Sequence, residues 1–128
     1  MRSEGKAVVY GCSGCSGAGQ MANALAVRLD REGRAEMSCI AGVGGGVESL
    51  VRKARSAARV VAIDGCPLHC ALNSLRLRGV EPALHVDLAA LGVVKRPHGD
   101  FDPAQAGEIY GRLAQALAGE PALAGSPD

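Results

Sequence analysis

Val60-Val61-Ala62-Ile63-Asp64-Gly65-Cys66-Pro67-Leu68-His69-Cys70 is the stretch that decides the reading of this chain. Val60 to Asp64 is short, continuous and β-branched, the pattern of a parallel strand covered on both faces. Gly65 interrupts it, and Leu68, Leu72 and Leu75 then recur at helical spacing until Gly79 stops the helix. A strand that passes into a helix through a turn carrying two cysteines is one half of a βαβ unit. Its thiols therefore belong at the carboxyl end of the strand.

The same alternation extends in both directions. Toward the amino terminus, Ala7-Val8-Val9-Tyr10 reads as a strand, followed by a helix with Met21, Leu25 and Leu29 on one face and Gly33 at its end. A second strand is expected over Met37 to Ala41, with a Gly42-Val43-Gly44-Gly45-Gly46 turn leading to a helix that aligns Val47, Leu50, Val51 and Ala54. Toward the carboxyl terminus, Ala83 to Leu88 is a fourth strand. An irregular loop from Gly92 to Pro103, long enough to act as a lid, precedes a last helix lined by Ile109, Leu113 and Leu117. Crossovers of this length are right-handed, so the expected fold is α/β: a three-layer sandwich on a mainly parallel four-stranded sheet, Rossmann- or flavodoxin-like, in the order 2-1-3-4. One domain spans residues 1–118, and residues 119–128 read as a disordered tail.

The order 2-1-3-4 makes strands one and three neighbours whose connections leave in opposite directions, which is where open α/β sheets bind their ligands. The turns after those two strands are Gly11-Cys12-Ser13-Gly14-Cys15-Ser16-Gly17 and Gly65-Cys66-Pro67-Leu68-His69-Cys70. Pro67 suits the first position of a helix, which makes Cys66 its cap and sets Cys70 one turn along the same face. Both thiols would then feel the positive end of the helix dipole. Two sulfurs from Cys12-x-x-Cys15 and two from Cys66-x-x-x-Cys70 form a metal or redox constellation. Cys39, inside the expected second strand, is a fifth thiolate, a resolving thiol or part of the core.

Composition narrows the function. With 14 basic and 13 acidic residues spread along the chain, one Phe and no Trp, there is neither a basic stripe nor a stacking platform for nucleic acid. The apolar run at Ala7 to Tyr10 is too short for a signal peptide or a membrane span, so a cytoplasmic protein with no membrane partner is expected. In a reducing compartment, five cysteines point to ligands or reactive thiols rather than a disulfide framework.

The segments Gly11-Cys12-Ser13-Gly14-Cys15-Ser16, Ala41-Gly42-Val43-Gly44-Gly45, Ile63-Asp64-Gly65-Cys66-Pro67-Leu68-His69-Cys70 and Gly92-Val93-Val94-Lys95 together resemble the Asp-Gly-Cys (DGC) domain family. The resemblance covers nearly all of the chain except the tail. It implies a zinc-binding domain whose cysteines are metal ligands, and it implies no particular substrate or reaction. Zinc is the first choice because four thiolates suit its tetrahedral preference, while three would leave an open position. An iron–sulfur cluster is the alternative cofactor.

The residues alone leave two functions in competition: metal storage, transfer or sensing through Cys12, Cys15, Cys66 and Cys70, or thiol redox or sulfur-transfer chemistry at the same cysteines. No catalytic residue is identified. His69 is expected to point away from the thiols, His85 to be half-buried in its strand and His98 to lie on the surface. Asp64 is expected to bind turn amides. Ser13 and Ser16 are expected to cap amides or donate to sulfur, since no histidine–aspartate pairing is evident.

Overall fold

The computed structural model describes residues 6–119. Four strands, β1 (Ala7–Gly11), β2 (Ala35–Met37), β3 (Val60–Asp64) and β4 (Leu84–Asp87), form one parallel sheet in the order β2-β1-β3-β4. The helices are α1 (Gly17–Arg31), α2 (Ile40–Gly44), α3 (Glu48–Ser56), α4 (Cys70–Leu77) and α5 (Pro103–Leu117), with a 3₁₀ turn at Leu88–Leu91. The fold is the three-layer α/β sandwich expected from the pattern. Among the described residues no helix is long and apolar enough to cross a membrane. Beyond Gly119, the expected disordered tail lies outside the described residues.

Every residue of β1 and β3 is buried, because helices cover both faces of the sheet. Alternate side chains divide between two cores. Val9, Val61 and Ile63 join Met21, Leu25 and Leu29 of α1 and Ile109 and Leu113 of α5, while Val8, Tyr10, Val60 and Ala62 meet Val43, Ala54, Ala71 and Leu75 of α2, α3 and α4. Burying each large aliphatic side chain stabilises the fold by about 1.5–3 kcal/mol. The two cores lie on either side of one sheet.

Three local expectations are corrected. The second strand ends at Met37, two residues before Cys39, because the Asp30 carboxylate accepts from the Met37 amide at 2.9 Å and draws the strand end toward α1. Residues Ile40–Gly44, read from sequence as strand end and glycine turn, are helix α2. That helix is held from outside: the Arg78 guanidinium donates to the carbonyls of Val43 at 2.8 Å and Gly44 at 2.7 Å, satisfying its last turn. At Gly42 the helix lies close to α3, where a Cβ would fall 2.0 Å from Leu50 Cδ1 and require that side chain to move. The fourth helix also starts late. It begins at Cys70, not Pro67, and leaves Leu68 outside it, 65% exposed.

Candidate metal centre

The carboxyl ends of β1 and β3 lie side by side, paired through Gly11 and Ile63. The β1 turn is folded back on α1 by glycines at close approaches. Ser16 caps α1 by accepting from the Gly19 amide at 3.1 Å, as expected of it, and a Cβ on Gly19 would fall 2.9 Å from the Gly14 nitrogen. The loop that follows the 3₁₀ turn lies across the same turn. Pro97 bridges Ser16, the Gly17 amide donates to Arg96 at 2.9 Å and the His98 amide donates to the Cys15 carbonyl at 3.2 Å. That loop is pinned to the cysteine turn and is not a free lid.

Cys12 is the inner thiol. Its amide donates to the Ile63 carbonyl at 2.9 Å, and its Sγ accepts from the Gly65 amide at 3.1 Å. Burial pushes its pKa up to about 11; the Gly65 hydrogen bond opposes that rise, and Asp64, Cys66 and Cys70 each add to it by charge repulsion. The structure therefore brings Cys12, Cys66 and Cys70 within electrostatic reach around Asp64. Cys66 is half-buried and Cys70 exposed.

Cys66 does not cap α4, and the two thiols do not share a helical face. His69 occupies the cap position in the left-handed conformation, with φ of 55° and ψ of 49°, and its side chain makes no capping bond. Pro67 lies in the preceding turn, closed by the His69 amide on the Cys66 carbonyl at 3.1 Å. Cys70, as the first residue of α4, keeps the position at the positive end of the dipole. Cys15 is exposed at the far side of its turn. Cys39, exposed at the cap position of α2, lines a pocket of about 310 Å³ with Ser13, Met37 and Ile40 and lies near the buried Tyr10 hydroxyl, not among the influences on Cys12. A cavity of about 560 Å³ between Met21, Val93, Phe101 and Glu108 contains no cysteine.

Asp64 holds the centre together. It is 1% exposed and accepts from the amides of Ala71 at 2.7 Å and Leu72 at 3.1 Å, and from His85 Nε2 at 2.8 Å. Burial pushes its pKa upward, but those hydrogen bonds outweigh it and hold the carboxyl below its ordinary value. The turn-binding role expected of Asp64 is thus present. The pairing with His85, and a second one in which His69 Nε2 donates to Asp87 Oδ2 at 2.9 Å, were not legible in the sequence. The two imidazoles meet edge to face with centroids 4.7 Å apart. His98 is exposed, as expected.

The donor chemistry suits a thiophilic cation: Cys12, its pKa raised by burial and by the charges of Asp64, Cys66 and Cys70, lacks a positive partner among the described residues. Among the described residues, no three histidine, cysteine, aspartate or glutamate side chains are already drawn in to bonding distance of one metal position. The set fits in kind, with its final closure left to the exposed Cys66–Cys70 turn.

The fold and these turns define a class: an open parallel α/β domain that carries thiols at the switch point of its sheet. The chain belongs to the DGC domain family, whose sequence profile matches residues 8–113, and Asp64-Gly65-Cys66 is its namesake tripeptide. It is similar to the anaerobic and virulence modulator AnvM of Pseudomonas aeruginosa, with 50% identity over 110 residues, 86% of this chain and 84% of the relative. No solved structure matches the chain.

Proposed function

We propose that this domain binds a soft metal ion, zinc first, through Cys12, Cys66 and Cys70, with Cys15 as the fourth donor available from the same turn. The observation that carries the reading is the Gly65 amide on Cys12 Sγ, which joins one cysteine turn to the other at the edge of two neighbouring strands. Amides aimed at sulfur support the charged form that a metal requires. Bound there, zinc would supply the positive charge that the site lacks, and Asp64 would hold the first amides of α4 while the thiols close.

The electrostatics of Cys12 favour this reading over catalysis by that thiol. A nucleophilic cysteine is activated by cationic neighbours that lower its pKa. Cys12 has the opposite surroundings, since burial, Asp64 and two further thiols all raise it. The description of the similar protein as a modulator supports sensing rather than bulk storage of the ion.

Elemental analysis of anaerobically purified protein, with an absorbance spectrum of the same sample, tests the proposal. About one zinc per chain in a colourless sample is the expected result. Iron with broad brown absorbance would replace zinc by a cluster. Metal-free protein with freely titrating thiols would overturn the metal reading and leave thiol redox chemistry as its successor.

A further inference from the structure

We propose that His69, clasped by Asp87, is the positioning residue that holds the Cys66–Cys70 turn ready for its metal, an inference that rests on the metal-binding reading above. His69 lies between the two cysteines in a backbone conformation that glycine adopts freely and other residues rarely do. It occupies the cap position of α4, where a serine or aspartate would be the ordinary choice, yet its side chain caps nothing. Neither the turn nor the cap explains a histidine there.

The ring has a different task. Nε2 donates to Asp87 Oδ2 at 2.9 Å, and Asp87 is itself fixed because its Oδ1 accepts from the Ala89 amide at 2.9 Å. On its other side the ring meets His85, which is bonded to Asp64 at 2.8 Å. An unbroken line of contacts therefore runs from the start of the 3₁₀ turn through Asp87, His69, His85 and Asp64 to the first amides of α4. It crosses the cysteine turn at His69, the residue before Cys70. The Leu68 carbonyl accepts from Asn73 Nδ2 at 3.0 Å, and Pro67 and Leu68 at the tip of the turn are exposed. The backbone of His69 is held by its amide on the Cys66 carbonyl at 3.1 Å and by the Asn73 amide on its own carbonyl at 2.9 Å, and the clasp adds a side-chain anchor to a residue in a strained conformation. The turn so anchored carries the two thiols.

The test compares His69→Gly, His69→Ala, His69→Gln and Asp87→Ala with the wild type, using two readouts. The first is zinc affinity, by competition with a chromophoric chelator. The second, on reduced metal-free protein, is the alkylation rate of Cys66 and Cys70 relative to Cys15. His69→Gly leaves the backbone at ease, so under a purely conformational role it would match the wild type. Under the clasp it weakens zinc by about tenfold or more and speeds alkylation of Cys66 and Cys70 selectively. His69→Gln, which keeps a side-chain donor, recovers part of the loss seen in His69→Ala. Adding Asp87→Ala to His69→Gly costs nothing further, as expected of two ends of one interaction. Since Asp87 also bonds Ala89, the His69 variants decide the matter if Asp87→Ala folds poorly. Wild-type affinity and wild-type alkylation in His69→Gly would overturn the clasp. Selective acceleration of alkylation in a protein that takes up no zinc would support the clasp while removing the metal reading.

Discussion

The Gly65 amide donates to the Cys12 sulfur at 3.1 Å, so the residue after β3 and the residue after β1 are joined by a single hydrogen bond across the two strand ends. The bond exists because the chain at Gly65 can run against α1. A Cβ at that position would fall 2.4 Å from the Ala18 carbonyl oxygen and 2.7 Å from the Gly19 nitrogen, both backbone atoms that cannot rotate away.

Gly65→Ala is therefore expected to destabilise the domain by about 2–3 kcal/mol, the upper part of the range for overpacking. Gly14→Ala, whose added methyl would meet nothing within 4 Å, is expected to stay within about 0.5 kcal/mol of the wild type. Urea denaturation of the two variants side by side checks the contrast; equal losses would mean that the close approach at α1 is not what Gly65 is needed for.

Cys66→Ser and Cys70→Ser should lower zinc retention much more than Cys39→Ser, because Cys66 and Cys70 act on Cys12 whereas Cys39 neighbours Tyr10. Metal-to-protein ratios after gel filtration against a weak chelator give the ranking. Equal loss at all three positions would refute it.

The Cys12 thiol gives a signed pH dependence to metal-free protein. Its pKa is raised from 9.0 to about 11 in the fold, so the folded chain keeps a proton that the unfolded chain releases first. Stability is full below about pH 9 and falls as pH rises toward about 11, by on the order of 1 kcal/mol once solvent screening is allowed for. Denaturation midpoints at a series of alkaline pH values, compared with those of Cys12→Ala, should show a slope that the variant lacks.

Asp64 contributes at the opposite end of the scale. Its carboxyl is held below its ordinary value of 3.8, so its contribution is present above that pH and is lost as pH falls through the lowered folded value. Asp64→Ala would leave His85 and two amides of α4 without their partner and should cost about 3–5 kcal/mol. Retention of wild-type stability in that variant at neutral pH would show that α4 is anchored elsewhere.

Stripping the metal with a chelator should leave the far-ultraviolet circular dichroism of the domain intact. The two side-chain clusters on either face of the sheet do not include the turn at Pro67 and Leu68. Collapse of the spectrum on chelation would instead make the ion a staple of the fold.

What could be read from the sequence was what local pattern encodes. Val60–Asp64 announces a buried parallel strand by itself, and the alternation announces a parallel sheet, whose order 2-1-3-4 is assumed as the doubly wound arrangement and is the one observed. The segment from Cys39 to Gly46 misled because four glycines argue against a helix, and the group that stabilises it, the Arg78 guanidinium, arrives from 34 residues away. The start of α4 misled for a related reason. Pro67 is a sound first helical residue, but Asp64 takes the amides of Ala71 and Leu72 and fixes the helix origin at Cys70. Histidines 18 and 21 residues from their aspartates carry no sequence signal of pairing. What could have found them is their placement: Asp64 and Asp87 are opposite one another in the register of neighbouring strands.

Asp64, Gly65 and Cys66 leave the tripeptide no slack. The first side chain is committed inward to a strand, a helix and an imidazole; the second position admits no side chain; the third presents the thiol. Substitutions that leave this frame undisturbed are thereby confined to the exposed positions around it, Ser13, Gly14 and Leu68.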